Sequence, residues 1–461
     1  MSAIRQQYHL EADKGLLNDP NGLSWFNGKY YVFFQWNPFE KNHSYKEWGL
    51  FTSKDLLQWD FEGSAVIPDQ EYDRDGVYSG SGYVIGNQLY LFYTGNNKKD
   101  GKRKSRQCLA MTKDGRQYEK KGVILNTPEG YTEHFRDPKV FQGKRFGYYM
   151  VVGGQQENGK GAIALCRSEN GETWDYRRMI AVSDQYQMIE CPDLFELDGK
   201  MILLFNPQKR NNATDEPIFS FSAYKLEEFD EETGTFRDAD LDHGFGFMDA
   251  GFDFYAPQTF LSPDGRRILF AWMSRMDDEQ EKLFSKTEPN IHCMTLPREL
   301  ALRGKSLCQK PIKELYGLLG SEITKAREDN QWRIQLDKRT FFINIQRTGK
   351  EQNLQIIFYQ GEAEIEYDPK EKQLIFSRRN WVDGTVESKS AAIDEWNEIE
   401  AWSDNSSLEI FVNGGQTVFS ARIFPTGKKP EMIVRGSEKD TKIQIREVMN
   451  MDKKKEEKNH E

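Results

Sequence analysis

Short, strongly apolar stretches recur along roughly the first 300 residues, and each begins just after a turn glycine. The stretches are KYYVFF, QLYLFY, FGYYMVV, MILLF and RILFAW, whose aromatic and branched side chains are typical of buried β-strands. The glycines before them are 58, 57, 56 and 66 residues apart, at Gly28, Gly86, Gly143, Gly199 and Gly265. Five copies of one strand-containing repeat of this length predict a five-bladed β-propeller.

A second, polar pattern has the same period. The segments WGLFTSKDLLQW, CLAMTKDGRQY and IALCRSENGETW each run from an alternating strand through Ser or Thr and a polar turn to an aromatic residue. Their hydroxyl residues, Ser53, Thr112 and Ser168, are 59 and 56 residues apart. Two independent markers with one period predict a propeller over residues 1–303, with about four short strands in each blade.

The rest of the chain has strand patterns but lacks both markers. Residues 304–320 predict a connector with a short helical stretch. Residues 321–449 contain alternating strands such as RTFFINIQR and LEIFVNGGQTVFSARIFP, which predict a β-sandwich. The highly charged tail, residues 450–461, is expected to be disordered. The predicted fold class is all-β: a five-bladed propeller followed by a C-terminal sandwich.

Charge and composition restrict the class of protein. The 461 residues have a net charge of −10 and 37% hydrophobic side chains, which suits a soluble protein and argues against nucleic-acid binding. No window approaches 18 apolar residues, so we expect no membrane span. The first residues lack the apolar core of a signal peptide, and the five cysteines form no C-x-x-C pair. We therefore expect free thiols and a cytoplasmic location, with export by another route left open.

An unusual polar motif precedes each turn glycine. The motifs are NDPNG (residues 18–22), YSGS (78–81), RDP (136–138), ECPD (190–193) and YAPQ (255–258). Because equivalent positions of propeller blades meet at the central axis, we expect Asp19, Asp137 and Glu190 to share one pocket. Like charges in one cleft raise at least one pKa. Glycoside hydrolysis needs this condition, an ionised carboxylate beside a protonated acid.

The repeat leaves the third acid ambiguous. Counting back from the turn glycine aligns Asp193, and not Glu190, with Asp137. Either acid of ECPD is therefore a candidate on spacing alone. A structural explanation also stays open for each single acid, because Asp before Pro is common in turns.

Six motifs in order resemble glycoside hydrolase family 32, which contains invertases, sucrose-6-phosphate hydrolases, levanases and inulinases. They are LNDPNG, FRDP, ECPDLF, DFYAPQTF, AWM and TLPREL. The resemblance implies a five-bladed propeller followed by a sandwich, and a retaining mechanism. It makes Asp19 the nucleophile, Glu190 the acid/base and Asp137 the residue that stabilises the transition state. The carboxyls of Asp19 and Glu190 should then lie about 5–5.5 Å apart.

A set of residues is predicted to contact the substrate. The resemblance implies that Asn18, Gln35, Ser79 and Arg136 bind the sugar hydroxyls, while Tyr78, Tyr255 and Trp272 are candidate apolar walls and His43 is a further candidate contact. Trp48 is either a pocket wall or blade core, and Cys191 is expected to be a packed residue. The chain departs from the family pattern at His43, where many members have Trp, and at Tyr78, where Phe is usual. A histidine at this position and the sequence LLNDPNG resemble intracellular sucrose-6-phosphate hydrolases more than secreted fructanases. His43 either binds a phosphate, tunes a hydroxyl contact or is a solvated loop residue.

We expect a cytoplasmic β-fructofuranosidase that acts on sucrose or sucrose 6-phosphate. Hydrolysis of fructo-oligosaccharides and fructosyl transfer are alternatives, and an arabinan-degrading propeller or a non-catalytic sugar-binding propeller is more distant. We expect no metal and no cofactor, since no histidine pair has ligand spacing and no phosphate-binding loop is present. The sandwich is structural or serves a homodimer. Arg103, Lys104 and Arg106, placed in a loop, are candidates to bind a phosphate, or are simply solvated.

Overall fold

The computed structural model describes residues 4–99, 102–211, 213–214, 216–274, 276, 278–329, 331–347, 353–425, 430–436 and 441–449. Most of these residues lie in β-strands, so the all-β prediction is confirmed. The helices in the described ranges are one α-helix and two short 3₁₀ turns, Asp278–Thr287, Lys313–Leu318 and Tyr359–Gly361. The predicted disordered tail lies outside the described residues.

Five antiparallel sheets, named blades one to five, form the first lobe. Blade one contains Gly15–Phe26, Lys29–Asn37, Glu47–Ser53 and Trp59–Val66. Blade two contains Val77–Ile85, Gln88–Lys99, Lys102–Thr112 and Glu119–Asn126. Blade three contains Tyr131–Gln142, Tyr148–Gln156, Gly161–Ser168 and Asp175–Ser183.

The last two blades are less regular. Blade four contains Met188–Leu197, Lys200–Arg210, Ala223–Glu227 and Gly246–Phe247, with Pro217–Ser220 also paired to its second strand. A small sheet of Phe229–Asp230 and Thr235–Phe236 follows blade four in the chain. Blade five contains Tyr255–Leu261, Arg267–Trp272, Arg298–Arg303 and Ser306–Pro311.

The blades close into a ring. The first strand of each blade, its inner strand, contacts the inner strands of the blades on either side, and that of blade five contacts that of blade one. Asn290–Ile291, from the segment that follows the second strand of blade five, pairs in parallel with Gly15 and Leu16 and joins blade one to that segment. This ring of five is the propeller that the glycine repeat predicts.

The second sequence marker is a recurring turn. The hydroxyl oxygens of Ser53, Thr112 and Ser168 accept the backbone N–H three residues later, at 2.9, 2.9 and 2.8 Å. A side-chain oxygen that caps a turn in this way explains why Ser or Thr recurs there. The marker is therefore a feature of blade architecture.

Every inner strand is irregular at the same level. Its pairing with the second strand shifts register between Leu17 and Pro20, Tyr78 and Gly80, Arg136 and Lys139, Glu190 and Asp193, and Tyr255 and Gln258. These β-bulges fall within the five polar motifs. A bulge bends a strand and re-aims a side chain, and it is often found next to an active site.

The segment predicted as a connector begins inside blade five. Ser306–Pro311 pairs antiparallel with Arg298–Arg303 across a two-residue turn in which Gly304 has a φ of 64°. Blade five therefore extends past the predicted boundary at residue 303. This strand lacks the repeat markers because it is the outermost of its blade. Only Lys313–Leu318 matches the predicted short helical stretch.

Two sheets packed face to face form the second lobe. The first has the order Leu319–Glu322, Lys442–Val448, Phe341–Gln346, Glu398–Asp404, Ser407–Val412 and Thr417–Arg422. The second has the order Ala326–Glu328, Gln331–Gln335, Glu431–Arg435, Leu354–Phe358, Ala363–Asp368, Gln373–Arg379 and Val386–Ala392. One apolar cluster, which includes Phe341, Phe358, Phe376 and Trp396, fills the space between them. The predicted sandwich is confirmed.

Buried ions join the two lobes. The Arg298 guanidinium, with none of its side chain exposed, binds Glu409 of the sandwich through Nε at 3.0 Å and Asp249 of the propeller at 3.3 Å. The His9 ring lies 2.9 Å from both Asp404 and Glu409. Burial disfavours a charged ring, but hydrogen bonds to these two carboxylates outweigh it and raise the pKa of His9 to about 9.

Candidate active site

Three acids from three blades meet at the propeller axis. The Cys191 sulfur lies 3.8 Å from Asp19 Oδ2 and 3.5 Å from Asp137 Oδ2. The Arg136 guanidinium lies 2.7 Å from Glu190 Oε1 and 4.0 Å from Asp137 Oδ2. The structure thus brings together the three carboxylates that the repeat and the family resemblance singled out. Asp19 and Glu190 are half-buried, and Asp137 lies deeper.

Asp19 is held by a chain of amide and hydroxyl groups. Its Oδ2 accepts a hydrogen bond from Ser79 at 2.6 Å, and its Oδ1 accepts one from Asn18 at 3.1 Å. Gln35 accepts from Asn18 at 2.8 Å and donates to Ser79 at 2.7 Å, which fixes both donors. Burial raises the pKa of Asp19, and the Glu190 charge adds to this, while the two donors oppose it. The arrangement orients one carboxylate towards the pocket.

Asp137 occupies a strained backbone position. Its φ is 67°, in the left-handed region that non-glycine residues rarely adopt. Its Oδ2 accepts the backbone N–H of Cys191 at 3.0 Å, and its own N–H donates to Thr94 at 3.0 Å. Burial raises the pKa of Asp137 to about 7; Glu190 adds to the rise and Arg136 opposes it. Asp137 can therefore exchange a proton near neutral pH.

Glu190 is surrounded by donors. Oε1 accepts from Arg136 at 2.7 and 3.2 Å, and Oε2 accepts from the Tyr255 hydroxyl at 2.8 Å and from Gln208. These contacts hold the carboxyl at the pocket wall, where part of it stays accessible. A group placed in this way can pass a proton to a bound substrate and take one back.

Asp193 has a different environment. Its Oδ2 accepts the backbone N–H of Thr259 at 2.7 Å and lies 2.9 Å from Lys139 Nζ. The alignment by turn glycines fails because the turn of blade three is longer than the turn of blade four. In blade three, the Gly143 N–H donates to the Gly147 carbonyl at 3.0 Å, and Gly143 lacks a positive φ. The bulges instead align Asp137 with Cys191, each of which has a positive φ and precedes a proline.

The remaining predicted contacts fall into two groups. Asn18, Gln35, Ser79, Arg136 and Tyr255 touch the acids or their direct partners, as described above. His43 and Trp272 form an edge-to-face pair 6.1 Å apart on the rim, and Trp272 packs against Tyr255 at 6.5 Å. Half-buried Tyr78 lies under the guanidinium of Arg103, 5.9 Å from its ring centre.

Trp48 is blade core. None of its side chain is exposed, it packs against Phe33, and its indole N–H donates to the Tyr78 carbonyl at 3.0 Å. The core alternative is therefore correct. Arg103, Lys104 and Arg106 lie on the strand Lys102–Thr112, and not in a loop. The hairpin simply extends farther than its polar sequence indicates.

Sequence reasoning missed Lys46 and Gln208. The Lys46 ammonium donates to Asn18 Oδ1 and lies 2.9 Å from His43 Nδ1, and burial lowers the pKa of Lys46 to about 7. Gln208 holds Glu190 from the second strand of blade four. Neither residue lies in a repeated motif. The only available signal was the position of Lys46 three residues after His43.

A groove of about 1750 Å³ opens beside the rim. It is lined by His43 and Trp272, by exposed Phe219 and Phe247 of blade four, and by Val382 of the sandwich. In the part of the chain that the structure describes, no three His, Cys, Asp or Glu side chains are grouped to hold a metal ion. The helices described here are also too short or too polar to cross a membrane.

Comparison with known proteins places this chain in a family. Residues 9–311 match the Glycosyl hydrolases family 32 N-terminal domain, and residues 313–448 match the Glycosyl hydrolases family 32 C terminal. The break between the two matches falls just after the last strand of blade five. A sucrose-6-phosphate hydrolase of Bacillus subtilis is 38% identical and covers 91% of this chain and 89% of its own. One of Vibrio alginolyticus is 35% identical, with 92% and 88% covered.

Solved structures agree with this family match. A Bombyx mori GH32 beta-fructofuranosidase superimposes with a TM-score of 0.84 at 28% identity, covering 97% of this chain and 95% of its own. The sucrose-6-phosphate hydrolase of Lactobacillus gasseri gives 0.84 at 26% identity, with 98% and 94% covered. Fold and site together define a glycoside hydrolase of the propeller-and-sandwich type. The chain belongs to glycosyl hydrolases family 32.

Proposed function

We propose that this protein is a retaining β-fructofuranosidase that releases fructose from sucrose or sucrose 6-phosphate. The observation that carries the proposal is the pair formed by Asp19 and Glu190, two half-buried carboxyls on the inner strands of blades one and four. The names of the similar proteins support the substrate: sucrose-6-phosphate hydrolases recur among them, and a relative's structure holds sucrose.

In the first step Asp19 attacks the anomeric carbon of the fructosyl unit. Glu190 gives its proton to the glycosidic oxygen, so that the bond to glucose breaks and glucose leaves as the alcohol. A fructosyl ester on Asp19 remains. The hydrogen bonds of Ser79 and Asn18 to Asp19 favour its ionised form, which is the nucleophilic one.

In the second step Glu190 acts as a base. It removes a proton from water, the water oxygen bonds to the anomeric carbon, and Asp19 leaves as the carboxylate. Two inversions at one carbon give overall retention. The Arg136 guanidinium binds Glu190 and lies near Asp137, so it compensates the negative charge that Glu190 gains when it gives up its proton.

We assign Asp137 to the fructosyl hydroxyls. Its carboxyl is fixed by the Cys191 N–H, so it can hold hydroxyls in the geometry that the oxocarbenium-like transition state requires. Asn18, Gln35 and Ser79 are assigned to the same sugar unit. Tyr78, His43, Tyr255 and Trp272 are assigned to the walls and rim. The separation of about 5–5.5 Å between the two reacting carboxyls stays a prediction.

The test is to measure fructose release from sucrose, sucrose 6-phosphate and 1-kestose by the purified protein. We expect cleavage of at least one of the first two, with β-fructofuranose as the first anomer seen by NMR. A first-formed α-anomer would contradict the retaining mechanism. Higher activity on 1-kestose, or kestose formed from concentrated sucrose, would favour the oligosaccharide or transfer alternative. No release from any sugar would overturn the proposal.

We also propose a cytoplasmic location and a homodimer. The described cysteines, Cys108, Cys166, Cys191, Cys293 and Cys308, are all free and buried, as in proteins of reducing compartments. Val386–Ala392 is an edge strand of the sandwich, and Val386 is largely exposed, so two copies could pair along this edge. Sedimentation of the wild type and of Val386→Lys tests the dimer: both sedimenting as monomers would exclude it.

A further inference from the structure

A second cavity lies at the other end of the propeller axis from the catalytic acids. Its volume is about 710 Å³, and all five inner strands line it. The lining residues of these strands directly follow the five polar motifs, at 23–25, 82–84, 139–142, 194–196 and 259–261. The catalytic acids belong to the motifs themselves, and a strand advances about 3.3 Å per residue. The acids and this cavity, named the far cavity, therefore occupy opposite ends of the inner strands.

A layer of polar contacts forms the floor of the far cavity. The Lys139 ammonium lies 2.9 Å from the Asp193 carboxylate and donates to the Thr259 carbonyl at 2.5 Å. These three residues belong to blades three, four and five, so their contacts cross the axis. The layer lies between the catalytic acids and the far cavity, which is therefore a site of its own.

One cation of the cavity wall has no counterion of its own. The Nε of Arg267, on the second strand of blade five, is buried and has no hydrogen-bond partner among the described residues. The guanidinium lies over the Phe195 ring, 4.7 Å from its centre. It is attracted by Asp193, but that carboxylate already binds Lys139. Two cations thus share one carboxylate, and one positive charge is left over.

The pKa values of the two cations agree with this excess of positive charge. Burial lowers the pKa of Lys139, and the charge of Arg267 lowers it further, while Asp193 opposes the change. Burial also lowers the pKa of Arg267. An anion bound beside Arg267 would reverse both effects.

The acids of the cavity wall have other partners. Glu196, Glu227 and Glu228 pair with the side chains of Lys144, Lys225 and Arg237 at 2.5, 3.4 and 3.1 Å. Glu231 accepts the backbone N–H groups of residues 144 and 145 at 2.9 and 3.0 Å. The anionic groups that act on Arg267 are instead Asp193 and the Tyr83 hydroxyl. The wall acids therefore leave Arg267 uncompensated.

The rest of the wall offers aromatic surface. Trp25, Tyr83, Phe141 and Phe229 line the far cavity, and each of them is half-buried. Aromatic rings around a concave site pack against flat or apolar ligand groups. The wall thus combines one unneutralised guanidinium with apolar contact area.

We propose that the far cavity binds a small organic anion, a carboxylate or a phosphate monoester, whose apolar body packs against these rings. The buried Nε and one Nη of Arg267 can donate two parallel hydrogen bonds to the oxygens of the head group. Binding would give the orphaned Nε a partner and would neutralise the excess charge. The proposed hydrolysis does not use Arg267, so this site is additional to the proposed function.

The experiment measures binding by calorimetry with benzoate, phenyl phosphate and benzyl alcohol. At least one of the two anions should bind the wild type with a Kd below about 1 mM, and the neutral alcohol should bind at least about 10-fold more weakly. The anion that binds more tightly identifies the head group. If neither anion binds, or if the alcohol binds equally well, the proposal is overturned.

Variants at Arg267 test the role of its charge. Arg267→Met keeps an apolar stem over Phe195 and should weaken anion binding at least about 10-fold, whereas Arg267→Lys should retain most of it. The matched control is Arg178→Met, at an exposed arginine on the outer strand of blade three, which should bind like the wild type. Arg267→Met should also release fructose at the wild-type rate. Unchanged anion binding by Arg267→Met would contradict the proposal.

A crystal soaked in 4-bromobenzoate locates the anion without any substitution. The anomalous signal of bromine should appear among the rings of the far cavity, with the carboxylate at Arg267. A signal confined to the sugar pocket, or no signal, would overturn the proposal. Neither result bears on fructose release, which tests the proposed function separately.

Discussion

The carboxylate of Asp193 lies 2.9 Å from the buried ammonium of Lys139. Asp193 belongs to blade four, Lys139 to blade three, and Thr259 of blade five donates its N–H to the same carboxylate oxygen. One acid thus links three neighbouring blades. Glu190, three residues earlier in the chain, contacts the pocket donors instead. Two acids of one short motif therefore have separate assignments, structural for Asp193 and chemical for Glu190.

This division predicts opposite effects of two similar substitutions. Asp193→Asn should lower the free energy of unfolding by about 3–5 kcal/mol, because Lys139 would stay buried beside a neutral partner. Glu190→Gln should leave stability within about 1 kcal/mol and reduce turnover about 10²- to 10⁴-fold. Urea denaturation and fructose release, measured on both variants, check this. Equal stability of the two variants would refute the assignment.

Asp19→Asn should abolish the covalent step. An amide does not form the ester, so we expect turnover to fall at least about 10³-fold while sucrose still binds, as calorimetry would show. Asp184→Asn, at an aspartate whose side chain is 71% exposed, is the control and should keep full activity. Turnover of Asp19→Asn near that of the wild type would rule out Asp19 as the nucleophile.

The raised pKa of Asp137 predicts a pH effect on stability. The unfolded chain loses this proton near its usual value of 3.8, and the folded protein loses it near 7. Between these values the folded state binds more protons, so the free energy of unfolding falls as the pH rises. Asp137→Asn should therefore gain stability over the wild type, by about 1 kcal/mol or more at pH 7.5 and by less at pH 5. Chemical denaturation at both pH values measures this, and a gain independent of pH would contradict it.

The position of Lys46 predicts that its substitution shifts the pH dependence of activity. Its positive charge favours the ionised form of Asp19, and its ammonium orients the Asn18 amide that contacts Asp19. Lys46→Met keeps the apolar stem and removes the charge. We expect the acidic limb of kcat/KM to move to higher pH and kcat to fall about 10-fold. Lys54→Met, at an exposed lysine, is the control. An unmoved limb would mean that Lys46 has no electrostatic role.

The architecture could be predicted from the sequence because it repeats. Turn glycines and capping hydroxyls recur once per blade for local reasons, and a period can be measured without knowing any contact. The same logic placed Asp19 and Asp137 near one axis. The last strand of blade five was not predicted because the repeat ends there. In the sequence, the turn glycine before it, Gly304, resembles a glycine of an ordinary loop.

The site depends on details that no local pattern encodes. A bulge lies between Glu190 and Asp193, and a bulge re-aims the side chains beside it. Spacing alone left both acids as candidates, and family resemblance chose Glu190. Lys46 and Gln208 belong to the site because they contact residues that are distant from them in the chain, Asn18 and Glu190. Such contacts need the register of the strands, which the apolar pattern does not specify.

The buried ions between the lobes mean that neither lobe is a removable module. Cutting the chain after the propeller would take Glu409 away from Arg298, and Asp404 away from His9, and would leave two cations facing a stripped apolar surface. The sandwich therefore completes the folding of the propeller. We expect the whole chain to unfold in one cooperative transition. Replacing the sandwich by that of another protein would require the buried carboxylates and the cations that bind them to be replaced together.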